Sequence, residues 1–285
     1  MTQTVLILGA SGLFGSHASA AFAADGWTVR HYQRGTDMAR AAMGADVIVN
    51  GLNPPKYHNW AKLIPQITAD VIAAARASGA TVIVPGNVYV YGRAPGPWGP
   101  DTPHRANTRK GRIRATMEAA YANAAANGMR TIILRGGDFI APKDPRTILN
   151  LITLKPLAKG AITSFGNPST ARTYAYLPDM VRAAVALANI RETLPAFSDN
   201  PLPGLCFSIA DLAAEMTAQT GKPLVIKQFS WWQIRLLAPF WELARELLEM
   251  RYLYDLPHSL APETLARQLP DFKTTTLRQV VAEHL

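Results

Sequence analysis

The feature that most constrains this chain lies near its start, where the apolar run Val5-Leu6-Ile7-Leu8 passes at once into Gly9-Ala10-Ser11-Gly12-Leu13-Phe14-Gly15. Such a run suits a parallel strand buried on both faces. The alanine-rich stretch from Phe14 to Ala24 reads as a helix, with Gly26 at its C-terminal cap. A strand that turns through glycines into a helix gathers free N–H groups and the positive helix end at one spot, where a diphosphate can sit. Gly9 serves the tight turn, Gly12 the close approach of phosphates, and Gly15 the packing of helix on sheet. A glycine triplet alone is weak; its position between strand and helix makes it specific. The turn predicts a dinucleotide site at Gly9, Ser11, Gly12, Leu13, Phe14 and Gly15.

Downstream, strands and helices alternate. Strands are expected at Thr28 to Gln33, Asp46 to Asn50, Thr81 to Val84 and Thr131 to Arg135. Helices are expected at Asp37 to Met43, Pro65 to Ser78 (with Pro65 in the first turn) and Arg109 to Asn127. This alternation predicts an α/β fold, a Rossmann-type doubly wound parallel sheet. Right-handed crossovers bring the strand ends and the glycine turn to one edge. Asn50, Gly51 and Pro142 fall at such ends and join the expected cofactor contacts. Past Pro142 the pattern loosens: Thr147 to Leu157 looks helical, Arg172 to Leu177 extended, Pro178 to Asn189 helical, Pro195 to Pro203 a proline-studded loop, and Leu205 to Ile209 a strand. The predicted organisation is a nucleotide-binding domain over 1–194, part of 143–171 turned to the substrate side, and a smaller substrate-binding portion over 195–285.

Composition narrows the function class. A single cysteine, Cys206, excludes a disulfide framework and a cysteine-built metal site, and the six histidines show no metal spacing. No leader precedes the first strand and no run approaches the ~18 apolar residues of a spanning helix, so a cytoplasmic protein is expected. The net charge of +9 is spread along the chain, with one dense stretch from Arg105 to Arg114. It reads as a solvated surface or as a wall attracting an anionic small molecule; no aromatic-basic pattern points to nucleic acid. Without a G-x-S-x-G elbow, a hydrolase is not supported.

The second strand ends at Arg34, with no Asp or Glu between Thr28 and Gly35. An acidic residue there would take a ribose 2′-hydroxyl, whereas arginine accommodates a 2′-phosphate, so NADP is preferred over NAD.

The motifs resemble those of extended short-chain dehydrogenases/reductases, the NAD-dependent epimerase/dehydratase family. Three segments follow the glycine turn in the family's order: Val84-Pro85-Gly86-Asn87-Val88-Tyr89-Val90-Tyr91-Gly92, Ile133-Leu134-Arg135-Gly136-Gly137-Asp138-Phe139-Ile140-Ala141-Pro142, and Tyr176-Leu177-Pro178-Asp179-Met180-Val181. The resemblance spans about Thr4 to Leu187 and implies an oxidoreductase or epimerase acting on a small carbonyl or sugar-like substrate. The family's catalytic residues are replaced. Asn87 stands where the family has serine, while Lys110 and Arg114 stand where it has the Tyr-x-x-x-Lys pair. Arg114 can still hold ribose hydroxyls, Lys110 can act as proton donor if burial lowers its pKa, and Tyr89 or Tyr91 can take over as acid. The rival is a catalytically inactive dinucleotide-binding sensor, regulator or assembly protein. About a dozen residues separate Arg34 from Asp46, too few for the family's next helix and strand, so the sheet is expected to lack an edge strand. Members of the family often dimerise through helices equivalent to 65–78 and 109–127.

Between Trp231 and Leu253, Trp232, Leu236, Phe240, Leu243, Leu247 and Met250 recur at helical spacing opposite Arg235, Glu242, Arg245, Glu246 and Glu249. This reads as an amphipathic helix interrupted at Pro239. Packing on the substrate portion is its first reading; a lid or partner surface and a membrane-surface helix are the others. Tyr254, Asp255 and His258 follow it, either in a substrate pocket or in a polar turn.

Overall fold

A computed structural model describes residues 2–285. In chain order its regular elements are β1 (Thr4–Leu8), α1 (Leu13–Ala24), β2 (Thr28–His31), α2 (Met38–Ala42), β3 (Val47–Asn50), α3 (Trp60–Ser78), β4 (Thr81–Gly86), α4 (Arg109–Ala126), β5 (Thr131–Arg135), β6 (Asp138–Ile140), β7 (Ala161–Ser164), β8 (Arg172–Tyr176), α5 (Leu177–Asn189), β9 (Phe197–Pro201), β10 (Leu205–Phe207), α6 (Ile209–Thr220), β11 (Val225–Gln228), α7 (Trp231–Leu237), α8 (Glu242–Met250), α9 (Glu263–Gln268) and α10 (Leu277–His284).

The main sheet has six parallel strands in the order β2-β1-β3-β4-β5-β9. β1 and β3 to β5 are buried on both faces, as their unbroken Val, Ile and Leu require. One face carries α1 and α5, where Phe14, Phe22, Leu177 and Met180 join the core; the other carries α3 and α4 with Trp60, Val71, Met117 and Tyr121. The expected doubly wound sheet is therefore present. It ends at β2, because α2 leads directly into β3.

Two smaller sheets stand beside it: β10-β8-β6 and the pair β11-β7. Tyr174, Phe207, Leu212, Met216 and Val280 build a core there with α6 and α10.

Several local expectations are corrected. The helix read from Pro65 begins at Trp60, because the buried Trp60 packs edge-on against Tyr57 with ring centroids 5.1 Å apart; Pro65 lies inside it. The loop read at Pro195 to Pro203 contains β9, which closes the main sheet alongside β5; as an edge strand it tolerates Pro201. Thr147 to Leu157 holds only a short wide-turn helix, Leu149–Thr153, before a further turn at Leu157–Lys159.

The amphipathic segment is broken between α7 and α8, as Pro239 suggests, but its faces differ from the expected ones. Trp231, Ile234, Ala244, Glu246 and Met250 are buried, whereas Trp232, Leu236 and Phe240 are exposed. Glu246 faces inward because Arg109 and Lys110 of α4 meet it there.

Candidate active site

The glycine turn is tight enough to exclude side chains. Gly9 has φ +75°, and the Gly12 N–H donates to its carbonyl at 2.9 Å. A Cβ on Gly15 would stand 2.2 Å from the Gly9 carbonyl oxygen, and one on Gly51 2.8 Å from that of Leu8. Side chains there would push α1 and the end of β3 off β1. Arg146 reaches over the turn: its guanidinium donates to the Ser11 carbonyl and the Ser16 hydroxyl, each at 3.1 Å. Asp144 holds the same guanidinium at 2.6 Å, and that contact keeps the Asp144 carboxyl down at about 2.

Above the turn lies a cavity of about 370 Å³. Gly12, Leu13, Phe14, Asn50 and Gly51 form its floor. Asn50 is fixed there by donating to the Tyr121 hydroxyl at 3.1 Å, while its Oδ1 accepts from the Leu52 N–H at 3.2 Å. Asn87, Tyr89, Arg114 and Asp138 form the opposite wall, joined by Tyr57 and Trp60.

The chemistry of this wall centres on two phenols. The hydroxyls of Tyr57 and Tyr89 lie 3.3 Å apart, and either can donate to the other. Burial raises both above the ordinary tyrosine value, Tyr89 well above it, so both are protonated at neutral pH. Arg114 lies with its guanidinium 4.9 Å from the centre of the Trp60 ring and donates to Asn53 Oδ1 at 3.1 Å. Burial pulls its pKa below the ordinary arginine value, and the nearby phenol of Tyr89 opposes that shift. Asp138 completes the wall, paired with Arg172 at 3.3 Å. The Arg172 guanidinium lies 5.0 Å from the ring centre of Tyr174 and 4.6 Å from that of Tyr254.

Of the four residues read as catalytic, Asn87 and Arg114 line the cavity, while Lys110 and Tyr91 lie outside its lining. Lys110 is fully buried against Glu246 and Glu249 of α8. Tyr91 is stacked on Trp98 with centroids 5.0 Å apart, and its hydroxyl donates to the Gly99 carbonyl at 3.3 Å. Behind Asn87, the buried Arg135 donates to its carbonyl at 2.6 Å and is neutralised by Glu118 and Asp199, each at 2.7 Å. The Asn87 Oδ1 accepts from the Tyr89 N–H at 3.0 Å, which fixes the turn carrying Tyr89. Gly111 permits α4 to approach that turn, since a Cβ there would lie 2.5 Å from the Tyr89 carbonyl oxygen.

Among the residues read as cofactor contacts, Arg34 is exposed beyond β2, and Pro142 is half-buried after β6, outside the cavity lining. Sequence reasoning missed Tyr57, Trp60 and Asp138. Tyr57 sits in a stretch where Lys56, Tyr57 and Asn59 have φ of 53°, 61° and 48°. Left-handed backbone at non-glycine residues is uncommon and collects at functional sites. Asp138 was within reach, as the acidic residue of the segment that follows β5.

The model of the NAD dependent epimerase/dehydratase family matches residues 64–196. No curated protein matches the chain. Solved structures share its fold over nearly the whole length. MoeE5 in complex with UDP-glucose and NAD has a TM-score of 0.77 at 17% identity, covering 99% of this chain and 97% of that one. UDP-glucuronic acid 4-epimerase from Bacillus cereus in complex with NAD has a TM-score of 0.77 at 16% identity, with the same coverage of 99% and 97%. A nucleoside-diphosphate-sugar epimerase from Pseudomonas aeruginosa has a TM-score of 0.73 at 17% identity, covering 100% of this chain and 96% of that one. At these identities the structural likeness is one of fold. The resemblance carried by the motifs is borne out: the chain combines a match to the epimerase/dehydratase family with the fold of solved epimerases.

Proposed function

We propose that this protein is an NAD(P)-dependent oxidoreductase or epimerase acting on a sugar-like or small carbonyl substrate, with Tyr89 in place of the family's tyrosine. The observation that carries the reading is the joining, in one cavity, of the glycine turn and the Tyr57–Tyr89 hydroxyl pair. The residues present fit a dinucleotide: a turn kept free of side chains at Gly9, Gly15 and Gly51, with Asn50 and Gly51 at the neighbouring strand end. The nicotinamide, when bound, supplies a hydride acceptor or donor. Tyr89, protonated and relayed to Tyr57, donates its proton to an oxygen on which negative charge develops. Asn87 orients that oxygen by a hydrogen bond, and Arg114 holds ribose hydroxyls and stabilises negative charge nearby. Arg146 is suited to meet the diphosphate from the outer side of the turn.

A sugar-like substrate is supported by MoeE5, whose solved complexes contain UDP-glucose or UDP-glucuronic acid beside NAD. The exposed Arg34 favours NADP, although the complexes named above contain NAD. The main sheet, which β9 completes from beyond residue 194, serves the dinucleotide, and the small sheets with α6 to α10 form the substrate side. The groove between α3 and α4, edged by Ile72, Ile113 and Ala120, supports pairing of two copies through these helices.

Calorimetric titration with NADPH, NADP, NADH and NAD tests the reading, followed by absorbance at the reduced nicotinamide band with sugar nucleotides and small carbonyls. Tight NADP(H) binding weakened by Arg34→Ala, with turnover, supports it. Tight binding with no turnover on any substrate favours the inactive sensor, and no binding of any of the four overturns the dinucleotide site.

A further inference from the structure

The tip formed by α7, its connection and the start of α8 places apolar side chains in solvent. Trp232 is 62% exposed, Leu236 67%, Leu237 46%, Phe240 91% and Trp241 43%. They fall within ten residues of chain, whereas single exposed apolar residues are ordinary and carry no message. The tip is also firmly built. Trp231 and Ile234 anchor α7 in a small core with Phe165 and Ala244, and Arg245 donates to the carbonyls of Ala238 and Pro239 at 3.0 and 3.4 Å. Phe240 therefore stands out on a fixed turn.

The chain leading into the tip is basic. From Met216 to Trp241 the chain contains Lys222, Lys227 and Arg235 and no Asp or Glu. All three cations are exposed. The next carboxylate along the chain, Glu242 at the start of α8, lies 2.9 Å from His58. Glu246 and Glu249, which gave the segment an acidic polar face in sequence, are turned inward onto Lys110.

We infer that this tip docks the protein onto an anionic lipid surface, with Phe240, Trp232, Leu236 and Trp241 entering the headgroup and upper acyl region and Lys222, Lys227 and Arg235 meeting lipid phosphates. Paired tryptophans, a fully projecting phenylalanine and a basic surround are the composition of an interfacial anchor. No helix among the described residues is long and apolar enough to cross a membrane, so the contact is a peripheral one. Anionic lipid attracts each nearby cation, which makes the docking sensitive to salt. It is independent of the reaction proposed above.

The test is co-sedimentation of the full chain with vesicles of pure phosphatidylcholine and of phosphatidylcholine with 40% phosphatidylglycerol, at low and physiological salt. Binding to the anionic vesicles at least ten-fold stronger than to the neutral ones is expected. Phe240→Ser with Trp232→Ser should lower it ten-fold or more, and Lys222→Gln with Lys227→Gln several-fold, with unchanged circular dichroism and melting. These exposed positions carry no core packing, so the variants fold. Absence of anionic-vesicle binding by the parent protein overturns the inference. So does binding that is indifferent to the Phe240 and Trp232 changes. A concentration-dependent dimer in size exclusion that Phe240→Ser abolishes, without vesicle binding, assigns the tip to a second copy instead.

Discussion

The ammonium of Lys110, in the first turn of α4, lies 2.7 Å from a carboxylate oxygen of Glu249 in α8, and donates to the Glu246 carbonyl at 3.1 Å. The backbone N–H of Lys110 donates to the other Glu249 oxygen at 2.8 Å. A cation so enclosed joins α8 to the Rossmann portion and has no spare face for substrate.

Replacing Lys110 by methionine should accordingly act on stability. Breaking a buried ion pair from one side leaves carboxylates without their partner and costs roughly 3–5 kcal/mol; Arg109, still beside Glu246, puts this case at the lower end. Urea denaturation should show the fall, while the folded fraction keeps its dinucleotide affinity. An unchanged urea midpoint together with lost turnover would return Lys110 to the role of proton donor.

Tyr89→Phe should leave fold and dinucleotide affinity in place and lower kcat about 10²–10⁴-fold, the usual worth of a positioned proton donor. Tyr57→Phe removes only the relay, 3.3 Å behind it, and should cost less, about ten-fold. Single-turnover absorbance of the reduced nicotinamide separates the two. Equal losses in both variants would mean that the pair acts as a unit, and no loss in Tyr89→Phe would remove it from the mechanism.

How far the sequence carried this site depends on the range of the signals. The glycine turn and the buried strands are local patterns, and they were legible from Thr4 to Arg135. Glu246 was assigned to a solvent face because helical spacing records only its neighbours; its partner Lys110 lies 136 residues away in sequence. The break between α7 and α8 also ends the single apolar face that the spacing runs through both: Met250 is buried, whereas Trp232 and Phe240 stand in solvent. Tyr57 gave no signal at all, since nothing in Lys56-Tyr57-His58-Asn59 announces left-handed backbone at non-glycine residues. Arg114 and Asn87 were found by their offsets from recognisable motifs, and the fold brings both to one cavity.

Gly15→Ala tests the turn itself. The added Cβ would meet the Gly9 carbonyl oxygen at 2.2 Å, and the contact is with backbone, which cannot swing aside. α1 must then shift off β1, with an overpacking cost of about 1–3 kcal/mol. The melting temperature should fall, and calorimetric NAD(P) binding should be lost in the molecules that remain folded. Retained affinity would show that the diphosphate is held elsewhere.

His258 gives the protein a defined acid sensitivity. It is buried and stacked on Trp98 with centroids 4.8 Å apart, and its Nδ1 lies 2.7 Å from the Leu256 carbonyl. Burial lowers its pKa from 6.5 to about 4, against the Leu256 hydrogen bond, which favours the charged ring; Arg172 lowers it further and Asp138 raises it. Between these values the unfolded chain binds a proton that the folded chain refuses. The stabilisation is therefore complete above about pH 6.5 and is lost progressively as the pH falls toward 4. At pH 5 the loss from this one residue is roughly 2 kcal/mol, at 1.36 kcal/mol per pKa unit. His258→Phe keeps an aromatic ring against Trp98 and removes the titration. The wild-type minus variant difference in urea stability should then shrink by about that amount between pH 7 and pH 5. A difference that stays constant across this window would mean that His258 takes up its proton in the folded state.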